Sequence, residues 1–327
     1  MVEEEPSSLI SIAKSQRLPA KEFEKQYKDH LSGFHEWDQL AHVEKWLLFP
    51  ENIGEKLSID EVAISNGELY TIITNKAAHG KKKALVAIVA GTKAFNVCWV
   101  LCKISLKQRN AVKEVTLDLS NAMEAIVRKS FSQAIIVDDR FHVQQLVSEA
   151  TQEVRMIQRR EALKEENEAI KTCRTEKKKY EPRVFENGDT KKQLIARSHH
   201  LLFKPESKWT ISQKQRAIIL FKEFPEIKKA YELSIMFRNC YENSHSIQEA
   251  KEKFEKWYKK VEEKQIESFL VAADSIRLHE ATILNYFINR STNASAESFN
   301  AKLKGFRALV RGVRDKKFFL FRVTKLL

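Results

Sequence analysis

The chain has 327 residues, 43% of them hydrophobic, which supplies a packed core for one large or two ordinary domains and excludes a disordered or fibrous chain. Lys and Arg number 57 against 44 for Asp and Glu, giving a net charge of +13. That balance favours polyanions, with nucleic acid the default partner and an anionic membrane surface the second.

The opening Met1-Val2-Glu3-Glu4-Glu5-Pro6 has no basic segment followed by an apolar one, so a cytoplasmic protein is expected. Residues 1–50 read as a short disordered lead and a helical arm, with Phe23, Tyr27, Leu31 and Phe34 forming one stripe. An apolar cluster, Trp46 to Phe49, stops at Pro50. From Leu57 the period changes to two: Leu57 and Ile59 alternate with Ser58 and Asp60, Asn66-Gly67 punctuates, and Leu69, Tyr70, Ile72 and Ile73 follow, a strong hairpin signal. Ala84 to Cys102 is apolar enough to resemble a membrane span, but Gly91, Lys93 and Asn96 interrupt it and β-branched residues fill it. Two buried strands are expected there, and no membrane partner. Val112 to Leu117 supplies a further strand, Ala122 to Lys129 a helix, and Ala134 to Val137 another strand. Antiparallel strands followed by alternating helices and strands predict an α/β fold: a mixed sheet with helices on its faces, the plan of RNase H-like cores.

The strand at Ala134 ends in Asp138-Asp139-Arg140-Phe141-His142. Carboxylates leaving the carboxyl end of a buried strand are either caps for the helix that follows or ligands in a metal and phosphate site. Beyond His142 the chain turns helical, and Gln158 to Lys192, dense in Lys, Arg and Glu, reads as a solvated face with internal ion pairs in preference to a DNA groove. Glu186-Asn187-Gly188-Asp189 breaks it. The stripes Ala230, Leu233, Phe237, Cys240 and Phe254, Trp257, Tyr258, Val261 then predict a compact all-α unit. Trp209 is expected in that core, with stacking on a flipped base as the rarer use of such a residue. The cysteines, Cys98, Cys102, Cys173 and Cys240, show neither zinc nor disulfide spacing.

The last segment opens with capping residues at Asn293 and runs into a helix on which Glu297, Asn300 and Lys304 share one face. Lys302, Lys304, Arg307, Arg311, Arg314, Lys316 and Lys317 make it the densest cationic stretch, a phosphate-tracking element.

Leu57-Ser-Ile-Asp60-Glu61, Thr116-Leu-Asp118-Leu-Ser with Ile136-Val-Asp138-Asp139-Arg140-Phe141-His142-Val143, and Asn293 through Lys304 stand in the order and spelling of DDE transposases of insertion sequences. The chain most resembles the ISL-three-like group, known by an Asp-Arg-Phe-His block and a late Asn-x-x-x-Glu-x-x-Asn-x-x-Lys block, and the likeness runs from about residue 45 to the end. The resemblance implies catalytic, metal-holding acids at Asp60, Asp139 and Glu297, with Asp138 a rival for the second place. It implies an RNase H-like core interrupted by a large all-α insertion: an arm over residues 1–50, core over 51–150, insertion over 151–280, and core again over 281–327. Asp118 is read as a helix cap or as support to the triad. His142 and Asp138 are possible outer residues, with a packed structural histidine the alternative for His142. Asn300, Lys304, Arg307, Arg311 and Arg314 are assigned to DNA.

What the resemblance implies chemically is 3′-end cleavage and strand transfer of an insertion sequence with two Mg²⁺ or Mn²⁺ ions, on double-stranded DNA comprising transposon ends and target. A homodimer on DNA is implied, associated with a bacterial nucleoid. The front of the chain lacks the zinc-binding and helix-turn-helix region of longer members, which implies either a separate end-recognition polypeptide or a truncated copy. The competing expectations are a nuclease of the same fold without strand transfer, and a catalytically inert basic DNA-binding protein.

Overall fold

The computed structural model describes residues 2, 6–65, 68–310 and 315–326. The chain divides into two compact units, Met1–Asp139 with Arg290–Leu327, and Arg140–Asn289.

The first unit is built on a six-stranded mixed sheet of β1 (Trp46–Leu48), β2 (Lys56–Ser65), β3 (Glu68–Asn75), β4 (Leu85–Ala90), β5 (Glu114–Leu117) and β6 (Ile135–Asp138), in spatial order β1-β4-β3-β2-β5-β6. β3 and β4 run as antiparallel neighbours from β2, whereas β5 and β6 join it in parallel. The expected Asn66-Gly67 turn lies outside the described residues; on either side of it β2 and β3 pair, Ser65 opposite Glu68.

The alternation along the strands sorts side chains onto two cores. Leu57, Ile59, Ile73, Val115, Leu117 and Ile136 enter one, covered by the helices Ala94–Leu101 and Asn121–Ser130. Val62, Tyr70, Ile72 and Ile88 enter the other, covered by Phe299, Leu303 and Phe306 of the helix Ala294–Leu309 and by the helix Lys316–Leu326. A residue between two of the first set therefore points at the C-terminal helices. That rule decides where the acids face.

Two expectations are corrected. The second half of Ala84–Cys102 is the helix Ala94–Leu101, because Val97, Val100 and Leu101 recur at steps of three and one and pack on the sheet as a helical stripe. The cluster at Trp46 is not the end of the arm but a strand, β1, pairing with β4 through Trp46 opposite Val89. The arm itself holds the helices Leu9–Ser15 and Ala20–Gln26, the latter widening into a π-helical turn at Tyr27–Leu31. Phe34 and Tyr27 meet Phe318, but Leu31 is exposed.

The second unit is helical, opening with the helix Arg140–Thr175. Both aromatic stripes are buried, and Trp209 is held in its core by a hydrogen bond from Nε1 to the Leu201 carbonyl, 2.8 Å, so it offers no free face for stacking. The break at Glu186–Asp189 is a tight turn, with Gly188 at φ +80° and Asp189 fully buried. Asp189 receives hydrogen bonds from Arg197, from Arg216 at 2.8 Å and from Asn187 at 2.8 Å. Lys191 and Lys192 pair with Glu165 and Glu166, so part of the charge-rich run neutralises itself. All four cysteines are free thiols. Among the described residues no helix is long and apolar enough to cross a membrane.

Candidate active site

Three acids emerge at one end of the parallel strands, and the register places them in a row. Ser58 of β2 pairs with Thr116 of β5, so Asp60 and Asp118, each two residues further on, are neighbours. Leu117 pairs with Asp138 of β6, and the Asp139 N–H continues that ladder to the Leu117 carbonyl at 2.8 Å. Asp139 thus stands beside Asp118 on the far side from Asp60. Leu57, Ile59, Val115, Leu117 and Ile136 all turn to the Ala94–Leu101 side. By alternation Asp60, Asp118 and Asp139 turn to the opposite side, and Asp138, in step with Ile136, does not.

The electrostatics follow from that row. Asp60 and Asp118 are joined by a side-chain hydrogen bond, and oxygens of Asp118 and Asp139 lie within 4.8 Å of one another. Burial first, then the charges of Asp60 and Asp139, push the Asp118 carboxyl up to about 8. Asp139 is 2% exposed. Crowded, partly buried carboxylates of one sign call for a cation between them.

The helix Ala294–Leu309 closes the site from the facing side. Asn300 Nδ2 donates to Asp60 Oδ2, and Asn293 hydrogen-bonds the Asp118 carboxylate. Asn293 occupies the helix's N-cap position yet makes no capping bond, because its side chain is committed to Asp118. The amide oxygens of both asparagines are buried and, among the described residues, have no hydrogen-bond partner. Glu297 is exposed, four residues after Asn293 and three before Asn300, on the face that these two share. Within the first unit the amide Oδ1 atoms and the carboxylates offer oxygen donors alone, which suits Mg²⁺ or Mn²⁺ and not a thiolate-seeking metal.

A buried ionic cluster beneath the acids fixes the segment that leads into this helix. Lys76 Nζ donates to Thr116 Oγ1 at 2.6 Å and to Ser291 Oγ at 2.6 Å, and pairs with Glu114 at 3.4 Å. Ser291 in turn donates to Glu114. Gly80 completes the seat: its φ is +66°, and a Cβ there would lie 3.1 Å from the Ser295 carbonyl and 3.3 Å from the Phe299 nitrogen. Lys302 Nζ donates to the Gly80 carbonyl at 2.7 Å.

Of the residues marked in the sequence, Asp60 and Asp139 are brought to the row and Glu297 to the facing helix. Asp138 is buried on the other side of β6. His142 lies on the first turn of Arg140–Thr175, in the second unit. Asn300 is buried on Asp60 and not turned to solvent. Lys304 is exposed, and Arg307 stacks on Phe319 at 5.2 Å. Arg311 and Arg314 lie outside the described residues. Asp118 is no helix cap: Ser120 caps Asn121–Ser130, its Oγ accepting from the Met123 N–H. The signal for Asp118 was available, since it follows its strand as Asp139 follows β6.

A family profile with the description transposase, that of the ISL-three-like DDE elements, matches residues 57–323. The chain belongs to this transposase family. The match runs from β2 through the second unit to the helix Lys316–Leu326, and so contains every acid of the row and the helix facing it. Membership in the family implies an enzyme that cleaves and joins nucleic acid, and DNA as its partner. No match was found among curated proteins or among solved structures.

Proposed function

We propose that this chain is the catalytic polypeptide of an insertion sequence, cutting the 3′ ends of the element and joining them to target DNA. The observation that supports the reading is the row Asp60, Asp118, Asp139 facing Asn293, Glu297 and Asn300. An RNase H-like core, interrupted after β6 by a helical insertion, is part of the proposal: β2 lies inside the sheet, with the antiparallel-paired β3, β4 and β1 on one side and the parallel-paired β5 and β6 on the other.

Asp60 and Asp118 are joined by a hydrogen bond and stand on neighbouring strands, so they are taken as the first two members of the triad, with Glu297 the third. Asp139, expected from the sequence as the second member, becomes the flanking acid beside Asp118. Asp60, Asp118, Asp139 and Glu297 would hold the divalent ions. When bound, such ions lower the pKa of an attacking water or 3′-hydroxyl and stabilise the leaving oxygen of the phosphodiester. The chain's own part is positioning. Asn300 and Asn293 fix the orientation of Asp60 and Asp118, so the carboxylates need no reorganisation during the reaction. Lys304, exposed on the same helix, fits a phosphate of the bound strand. A homodimer holding two ends, a separate polypeptide that reads those ends, and association with a bacterial nucleoid complete the reading.

The test is nicking and joining of plasmid DNA bearing the element's terminal repeats, with Mg²⁺ or Mn²⁺. Wild type is expected to give joined products, and Asp60→Asn, Asp118→Asn and Glu297→Gln to lose at least a hundredfold, as removal of a metal-holding group does. Nicks without joined products would leave a nuclease. Full activity in Asp118→Asn with loss in Asp139→Asn would return the second place to Asp139.

A further inference from the structure

A second feature of the first unit has no part in the row of acids. At the outer edge of the sheet, β1, β4 and the helix Ala94–Leu101 enclose a cavity of about 590 Å³. Trp46 stacks under His42 with ring centroids 3.4 Å apart and an interplanar angle of 10°, and Trp99 stands edge-on to Trp46 at 6.2 Å. The core uses Val97, Cys98, Val100 and Leu101 of that helix, which leaves Phe95 and Trp99, one turn apart, on its outer face at 75% and 53% exposure. Large aromatics left in solvent beside a cavity are a binding feature.

We propose that this cavity is a subsite for an unpaired nucleotide of the DNA strand, with the base stacked on Trp99 and Trp46 edge-on beside it. The choice of a DNA strand rests on the transposase reading above. Two observations favour that occupant. The first is charge: Lys103 Nζ sits 3.9 Å from the Trp99 ring centre and 5.2 Å from that of Trp46, Lys45 lines the cavity, and no carboxylate is among its described lining residues. A polyanion with flat faces matches aromatic rings interleaved with ammonium groups. The second is size, since the volume is that of a small-molecule site and accepts a base with its sugar. A paired base keeps its faces stacked within the duplex, so the ligand is a strand that has been opened or cut.

The experiment uses the full chain and a single-stranded oligonucleotide carrying 2-aminopurine, whose fluorescence is quenched on stacking. Wild type is compared with Trp99→Ala and Trp99→Phe, both at a position 53% exposed, and melting curves check that each variant folds. The expected result is about tenfold weaker single-strand binding and loss of quenching in Trp99→Ala, near wild-type behaviour in Trp99→Phe, and unchanged duplex binding. Unchanged affinity and quenching in Trp99→Ala would overturn the proposal. So would sedimentation showing that Trp99→Ala splits a dimer, because the face would then be covered by a second copy. Plasmid joining, measured on the same preparations, separates the two readings: a Trp99 effect in a chain that never joins ends leaves the subsite and removes the proposed joining by this chain alone, and joining without a Trp99 effect does the reverse.

Discussion

Asp118 shows how one residue's surroundings become a property of the whole chain. Its carboxyl is raised from an ordinary 3.8 to about 8, chiefly by burial and then by the charges of Asp60 and Asp139. Between those values the folded protein keeps a proton that the unfolded chain has released. The folded state then binds more protons than the unfolded one, so stability falls as pH rises through that window and levels off above it. A divalent cation reverses the preference by favouring the charged carboxylates, and it binds only the folded arrangement. The metal-free protein is therefore expected to lose thermal stability from about pH 4 to about pH 8, and Mg²⁺ to raise Tm more at pH 8 than at pH 5. Asp118→Asn removes the group and should flatten the metal-free profile. Melting curves across pH for the two proteins decide it; a variant with the wild-type slope would show that another group holds the proton.

At the scale of elements, the site depends on how closely the helix Ala294–Leu309 approaches the loop after β3. Gly80 permits that approach, and its left-handed conformation excludes most side chains as well. Gly80→Ala is expected to cost about 1 kcal/mol or more in backbone strain and to push Ser295 and Phe299 outward, taking Asn293 and Asn300 off their carboxylates. Joining activity should fall at least tenfold while Tm drops only by several degrees, a disproportion that activity assays and melting curves on one preparation would show. Equal activity would mean that the helix has slack at this contact. The strands and stripes that frame this contact were legible in the sequence because period two and period 3.6 announce themselves in apolar residues. β1 was not, since three residues between the arm and Pro50 are too few for a period. The helix Ala94–Leu101 was missed because β-branched residues outweighed its three- and four-residue spacing. Asp60, Asp139 and Glu297 were legible as spelled motifs, and Asp118 as an acid that follows its strand, but the roles of Asn293 and Asn300 depend on hydrogen bonds to carboxylates far away in sequence, which only the folded structure reveals.

Across the whole molecule, a net charge of +13 predicts strong attraction to DNA, yet much of the C-terminal basic stretch is already engaged within the protein. Lys302 is bonded to Gly80, Lys316 to Glu68, and Lys317 pairs with Glu44 at 3.8 Å. Lys304 is exposed and, among the described residues, shows no such bond or ion pair. Counting lysines therefore overstates the phosphate contacts. Each phosphate neutralised releases condensed counterions, so the logarithm of affinity falls with the logarithm of salt by about 0.9 per contact on duplex DNA. Lys304→Ala is expected to weaken binding to all duplex sequences alike and to reduce that slope by about 1, whereas Lys316→Ala should leave the slope unchanged because its partner is Glu68. Anisotropy titrations of a labelled duplex over a KCl series measure both. A slope reduced by Lys316→Ala and not by Lys304→Ala would place the phosphate track at the Lys316 end of the C-terminal region, away from the helix that carries Glu297.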